Sequence, residues 1–300
     1  MSTSKIIVAT DFRTLSDTCV RVGAELGAAL GVDVDVIHAS DLVKLEGAAA
    51  VPSGMHVVND ALLERLNTRR KGLELKLQHQ LSAHGNVKNA VVHARFVDDR
   101  PWHAIVEASK PPGTQLVVIG SRGPHRSTVE RVLGTTTERV VRHALGPVLV
   151  LHPDAFTSTL LGTHWIVGVD FSPSSVQAAR YAVELAQNTG GRVTLMHVLP
   201  FGQGRLEVDI GDALHHEWVD AAQVQLSETA QKLGGSVQTR VIPEERDQSS
   251  GQTLCSAAQQ EKDAVLVLSA GEHSTVSRVL LGSTAERSLR YATMPVLIVR

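Results

Sequence analysis

Apolar and polar residues alternate along the chain with two different periods, and the periods take turns. Ile6–Thr10 is a short, β-branched apolar run, the pattern of a strand buried on both faces. Leu15–Leu30 follows with Val22, Leu26, Ala29 and Leu30 near helical spacing, and Gly31 closes it as a left-handed cap closes a helix. Val34–Ala39 is a second strand. Asn59–Ala83 is a long helix with Leu62, Leu63, Leu66, Leu73 and Leu77 on one side, and it ends before Gly85. Val87–Val97 reads as a strand, Pro101–Lys110 as a helix opening on proline, and Leu116–Gly120 as a strand. Thr136–His143 reads as a helix and Val148–Leu151 as a strand. Strands that alternate with helices pair in parallel and carry helices on both sheet faces.

The pattern then runs a second time. Residues 6–40 align with 165–199 without a gap at an offset of 159, and eleven of 35 positions are identical. Asp11/Asp170, Phe12/Phe171, Glu25/Glu184, Gly31/Gly190 and His38/His197 are among them. Residues 134–152 align with 282–300 at an offset of 148, with nine of 19 identical, including Gly134/Gly282, Glu138/Glu286, Arg139/Arg287 and Pro147/Pro295. The chain is therefore two copies of one α/β domain, 1–152 and 164–300, joined by a linker at Pro153–Thr163. The change of offset, 159 − 148 = 11, gives the first copy about eleven extra residues, and the low-complexity stretch Gly47–Gly54 is their expected site. Strands in the second copy are expected near 165–169, 193–198, 237–242, 264–268 and 295–299. The predicted architecture is two tandem doubly wound, Rossmann-like domains, each with a five-stranded parallel sheet. The last strands, Pro147–Leu151 and Pro295–Val299, are apolar edges, and pairing one with the other would protect both.

Composition narrows the function. The chain has 29 Lys+Arg against 31 Asp+Glu, a net charge of −2, so it lacks the electrostatic footprint for nucleic acid or anionic membrane. Aromatic residues are 3%, too few for a base-stacking surface. Cys19 and Cys255 lie in opposite halves with no metal or redox spacing, which fits a reducing cytoplasm. No apolar run approaches the ~20 residues of a membrane span. The five residues Ile6–Thr10 are too short for a signal-peptide core.

In doubly wound sheets ligands sit beyond the carboxyl ends of the strands. Three features fall there. Asp11 and Asp170 end the first strand of each copy and can accept hydrogen bonds from a base or ribose, although an Asp there also caps the following helix. Gly120-Ser121-Arg122-Gly123 follows the fourth strand, where a backbone without Cβ atoms can approach an anion. Gly134-Thr135-Thr136 opens a helix, whose free N–H groups favour phosphate. Arg122, His125 and Arg126 add positive charge between them. No Gly-x4-Gly-Lys-Ser/Thr occurs, and the Gly-x-Gly at Gly202–Gly204 lacks the third glycine of a dinucleotide fingerprint.

These residues together resemble the universal stress protein family in its tandem form: a first strand ending in Asp, then Gly-x-x-Gly, a spacer, Gly-Thr/Ser-x-x-Glu-Arg, and a closing Pro-Val-Leu-Val. The resemblance covers essentially the whole chain. It implies an ATP-like adenine nucleotide, with or without magnesium, bound at Ala9, Thr10, Asp11, Phe12, Ala39, Gly120, Ser121, Gly123, Gly134, Thr135 and Thr136. In such proteins the Asp contacts adenine, the end of the second strand gives backbone bonds, and the glycine segment holds ribose and phosphates. A weaker second site is implied at Asp170, Val198, Gly282 and Ser283. Single-domain relatives dimerise through the last strand, so an intramolecular pseudo-dimer is expected, with homodimerisation left open.

Two departures matter. Ten residues, not the family's nine, separate Gly123 from Gly134. In the second copy either Ser269 and Glu272, or Leu268 and Gly271, stand where Gly120 and Gly123 stand in the first. No catalytic residue is expected, because Ser121 and Thr135 have no base partner beyond nearby His125, and hydrolysis of ATP should be very slow or absent. No metal site is expected among the 14 histidines, which show no His-x3-His spacing. His38 and His197 read as satisfied core or pocket-rim residues. A stress-response protein regulated by nucleotide is the first reading, and a non-catalytic interaction scaffold with degenerate pockets or another small ligand is the second.

Overall fold

A computed structural model of the chain describes residues 4–41, 60–110, 112–121, 133–153, 159–199, 212–234, 236–245, 247–271 and 280–300. Gly47–Gly54 and residues 154–158 of the linker lie outside them. The chain divides into two compact units, Met1–Gly120 and Ser121–Arg300. The first holds β1 (Lys5–Ala9), α1 (Thr14–Leu30), β2 (Asp33–Ala39), α2 (Asp60–His84), β3 (Val92–Val97), α3 (Pro101–Ser109) and β4 (Thr114–Gly120). The second opens with α4 (Thr135–His143) and β5 (Val148–Leu151), the end of the first repeat. The second repeat follows as β6 (His164–Gly168), α5 (Pro173–Thr189), β7 (Arg192–Leu199), α6 (Asp212–Leu233), β8 (Val237–Pro243), α7 (Ser250–Gln259), β9 (Ala264–Ser269), α8 (Ser283–Tyr291) and β10 (Val296–Val299).

In the first unit the strand order is β3-β2-β1-β4, every neighbour parallel. In the second repeat it is β10-β9-β6-β7-β8, again parallel throughout. The doubly wound α/β class is therefore as the periodicity predicts. Central strands are buried on both faces: Ile6, Ile7 and Val8 in β1, and Trp165, Ile166 and Val167 in β6, are fully buried. That is why they read as unbroken apolar runs rather than alternations. The outer strand β8 alternates instead, and its exposed positions include Arg240, a charge that discourages further pairing. Gly31 and Gly190 close α1 and α5 in the left-handed conformation that the sequence anticipates.

One predicted strand shortens. Val87–Val97 becomes Val92–Val97, because the chain turns before it. Ala90 N–H donates to Val87 O, and Asn89 takes a φ of 68°. Val87 and Val91 are apolar enough to imitate a strand, but Asn tolerates the left-handed turn that breaks it.

The final strands of the two repeats meet. β5 pairs antiparallel with β10, Leu149 opposite Leu297, all within the second unit. Helix ends reinforce the joint: Arg300 Nη2 donates to Val141 O and Arg142 O at the end of α4, at 2.6 and 2.9 Å. Arg142 reaches Glu286 of α8 at 3.4 Å. A cation on the last carbonyls of a helix satisfies acceptors that the helix itself leaves open.

A buried histidine lies at the amino end of β6. His164 Nε2 lies 2.7 Å from Thr194 Oγ1, and its Nδ1 lies 3.1 Å from Arg192 Nη2 and 3.5 Å from Glu261. Arginine only donates, so Nδ1 must accept and the proton sits on Nε2. Burial, and then the Arg192 charge, hold the His164 pKa below the ordinary histidine value, with Glu261 opposing. The unfolded chain therefore takes up this proton first. Stability from His164 should be complete above about pH 6.5 and fall as pH drops from there through the lower folded value. Urea unfolding of the wild type and His164→Gln across pH 7.5 to 5 should show their difference shrinking with acid. A constant difference would refute this.

Candidate functional site

The chain must turn from β1 into α1 within four residues, and it does so the same way in both repeats. Phe12 takes a φ of 63° and Phe171 a φ of 65°. For a bulky residue this left-handed backbone is a strained state, sustained only where neighbours enforce it. In the first repeat Asp11 Oδ1 accepts from Arg13 N–H at 3.1 Å and from Ser16 Oγ at 2.5 Å, while Ser16 Oγ accepts from Asp11 N–H at 3.1 Å. In the second, Asp170 Oδ1 accepts from Ser172 N–H at 3.1 Å and from Ser172 Oγ at 2.5 Å. Both carboxylates thus close the turn ahead of the helix, each on the N–H two residues on, and both residues stay exposed.

A histidine braces each turn from β2 or β7. His38 Nδ1 lies 2.9 Å from Thr10 O, and His197 Nδ1 lies 2.7 Å from Val169 O. A carbonyl only accepts, so Nδ1 carries the proton in both. The His38 ring packs at 4.2 Å on Phe12, and the His197 ring at 4.5 Å on Phe171. Burial holds the His38 pKa below the ordinary value, and its bond to Thr10 opposes. Both rings are hydrogen-bonded, as the reading of satisfied histidines on these strands expects.

The residues assigned from sequence gather by unit. In the first, Ala9, Thr10 and Ala39 are buried, Asp11 is exposed, and Gly120 ends β4 beside them. Thr10 N–H donates to Ile37 O at 3.0 Å, which aligns the ends of β1 and β2. Ser121, Gly134, Thr135 and Thr136 belong to the other compact unit, where Ser121 is buried and Gly134 caps α4. Gly123, Arg122, His125 and Arg126 lie outside the described residues, as does Glu272. In the second unit the sheet brings Asp170, Val198, Ser269 and Gly282 to one end: Val169 N–H donates to Met196 O at 2.9 Å, and Gly282 N–H to Ala270 O at 2.8 Å. Ser283 begins α8 there.

Strand pairing decides the register that sequence leaves open. Val8 pairs with Val118 and, 159 residues on, Val167 pairs with Val267. Ser269 therefore stands where Gly120 stands. A Cβ at Gly120 would lie 2.8 Å from Leu15 Cδ2 and 3.0 Å from its Cγ, so Gly120 is small because Leu15 packs on it. The counterpart of Leu15 is Ser174 (15 + 159 = 174), and its Oγ lies 3.3 Å from Ser269 Oγ. Gly–Leu in one repeat is exchanged for Ser–Ser in the other. Sequence reading misses Leu15 and Ser174, although the internal alignment holds the signal: both members of the pair change together.

The second turn is the more hydroxyl-rich. Ser174 Oγ lies 3.1 Å from Ser172 Oγ, which in turn donates to Asp170. Burial works against the Asp170 charge, but bonds from Ser172 and Ser175 outweigh it and hold the carboxyl below its usual range. Thiol chemistry is remote: Cys19 and Cys255 are buried and unpaired, and burial pushes the Cys255 thiol up to about 12. Among the described residues no group of three or more His, Cys, Asp or Glu is placed to hold a metal ion.

Comparison with known proteins agrees with this geometry. The family profile of universal stress proteins matches residues 3–152 and 163–300. The chain belongs to the universal stress protein family, as two tandem copies of its domain. A universal stress protein of Mycolicibacterium smegmatis is 26% identical over 308 residues, covering 98% of this chain and 96% of that one. One from Mycobacterium tuberculosis is 24% identical over 255 residues, covering 82% and 76%. The crystal structure of a universal stress protein from Archaeoglobus fulgidus matches in fold with a TM-score of 0.68 at 18% identity, over 100% of this chain and 99% of that one.

The exchanged pair predicts a measurable coupling. Gly120→Ser alone should cost about 1–3 kcal/mol through overpacking against Leu15. Adding Leu15→Ser should recover part of it, so that the double variant exceeds the sum of the singles by about 1 kcal/mol or more in urea unfolding. Strict additivity would refute the packing account.

Proposed function

We propose that the protein binds ATP or a related adenine nucleotide as a regulatory ligand, with or without magnesium, and that the first repeat is the favoured half. The observation that carries this reading is the turn after β1. Its backbone is strained and enforced from several sides, yet the Asp11 side chain stays 59% exposed. Strain of this kind clusters at ligand sites. Asp11 Oδ1 is taken up by the turn, while Oδ2 lies 3.5 Å from Nε of the exposed Arg13. That oxygen can accept from the amino group of adenine or from a ribose hydroxyl. Ala9, Thr10, Phe12 and Ala39 frame it. The phosphate end falls, by the family pattern, to Gly120, Ser121, Gly123, Gly134, Thr135 and Thr136, and the free N–H groups at the start of α4 suit an anion.

The ligand is read as bound rather than consumed. The sequence has no phosphate-loop lysine, and both thiols are buried with raised pKa values. Unpaired thiols also suit the reducing cytoplasm, and no helix among the described residues is long and apolar enough to cross a membrane. For the second repeat, Ser269 and Glu272 in place of Gly120 and Gly123 favour the alternative: a scaffold pocket, empty or holding a different small ligand. A glutamate beside a polyphosphate repels it.

Calorimetry with ATP tests the assignment. Asp11→Ala combined with Gly123→Glu should weaken binding about ten- to 150-fold, the worth of one charge-assisted bond. Asp170→Ala should leave the tighter site unchanged. The reverse pattern would move the working pocket to the second repeat, and a wild type without ATP affinity would end the nucleotide reading.

Turnover supplies an independent check. Purified protein with ATP and magnesium should release phosphate far more slowly than ~1 s⁻¹, the low end of the enzyme range. Faster release would make it an ATPase.

A further inference from the structure

Beneath the first turn runs a buried polar chain that the second repeat cannot build. Thr10 is 7% exposed at the end of β1, and Gln80, on the inner side of α2, is 5% exposed. Groups so deeply buried are costly unless paired. The direction of the pairing is fixed by its last member. The Asp17 carboxylate of α1 only accepts, so Gln80 must turn its amide nitrogen toward it, at 2.6 Å. The Gln80 carbonyl oxygen then faces Thr10, whose hydroxyl must donate to it, at 2.7 Å. The lone pairs of Thr10 Oγ1 are left for Phe12 N–H, at 3.1 Å. His84 Nε2 stands 3.7 Å from the same Asp17 oxygen, at the far end. Donors aligned head to tail toward an anion strengthen one another.

This chain ends on the main chain of the strained residue. It ties β1, α1 and α2 to the amide of Phe12, whose φ of 63° no side chain of that size prefers. In the second repeat the place of Thr10 is taken by Val169 (10 + 159 = 169), which is 4% exposed and has no hydroxyl to offer.

We infer that Thr10 and Gln80 are positioning residues, which lock the Asp11–Phe12 turn of the first repeat and so fix the direction of the Asp11 carboxylate. Because Gln80 rides on α2, the seating of that helix and the geometry of the turn are one equilibrium. A ligand that selects the locked turn also tightens α2. The effect on ligand affinity rests on the nucleotide reading; the locking of the turn does not.

The test uses the full chain with Thr10→Val, Thr10→Ser, Gln80→Leu and the Thr10→Val/Gln80→Leu pair. Two quantities are read: amide exchange at Phe12 by NMR, and the Kd for ATP by calorimetry. Thr10→Val installs the residue of the second repeat and should speed Phe12 exchange about tenfold, the worth of one buried hydrogen bond. It should weaken ATP by a similar factor. Thr10→Ser, which keeps the hydroxyl, should restore both. Gln80→Leu should match Thr10→Val, and the pair should be no worse than either alone within about twofold, since both cut one chain. A merely structural role would lower the unfolding midpoint without this non-additive pattern at Phe12. Unchanged Phe12 exchange in Thr10→Val, or Thr10→Ser behaving like Thr10→Val, would overturn the inference. If Thr10→Val fails to fold, Gln80→Leu and Thr10→Ser decide by the same readings. If wild type does not bind ATP, the nucleotide reading falls, and Phe12 exchange alone decides this one.

Discussion

A strand that hands over to a helix within four residues exposes main-chain groups that neither element can satisfy. In this protein the solution to that constraint organises everything around it. Asp11 and Asp170 take the N–H groups of Arg13 and Ser172, just ahead of the helices, and His38 and His197 take the carbonyls of Thr10 and Val169, just past the strands. Phe12 and Phe171 accept an unfavourable φ so that the geometry closes. Each component constrains the next. The carbonyl fixes the tautomer of the histidine, and the histidine ring supports the phenylalanine. A turn built this way is ordered by folding itself, since the entropy of fixing it is met there.

The two repeats keep this turn and differ in what lies beneath it. The first has apolar packing of Leu15 on Gly120 and an amide chain through Gln80. The second has a run of serine hydroxyls from Asp170 to Ser269. Shape is preserved while chemistry changes, which is what close packing permits when two facing residues change together.

Much of this was legible in the sequence, for reasons that can be named. Parallel central strands are buried on both faces, so Ile6–Ala9 and Trp165–Val167 announce themselves as apolar runs. Gly31 and Gly190 announce helix ends because a left-handed cap excludes most side chains. The repeat itself was visible as identity at fixed offset. What stayed hidden depended on partners far apart in sequence. Val87 and Val91 imitate a strand because period alone does not register the turn at Asn89. The choice of Ser269 over Leu268 as the counterpart of Gly120 required strand pairing. Gln80 on a polar-looking helix gave no sign that it is buried against Thr10, 70 residues away.

Because β5 and β10 belong to one polypeptide, the joint between them never waits for a second molecule. Tethered partners meet at effective concentrations in the millimolar range for short flexible linkers, so the pairing survives dilution that would dissociate a pair of untethered chains. The tether also breaks a symmetry of inheritance. In a dimer of identical chains every substitution appears in both cradles at once, and neither can depart from the other. Here Leu15 and Ser174 are written separately, and so are Gly120 and Ser269. Each turn can therefore change residue by residue without carrying the other with it, and the exchange of Gly–Leu for Ser–Ser is a divergence that an assembly of identical chains cannot make.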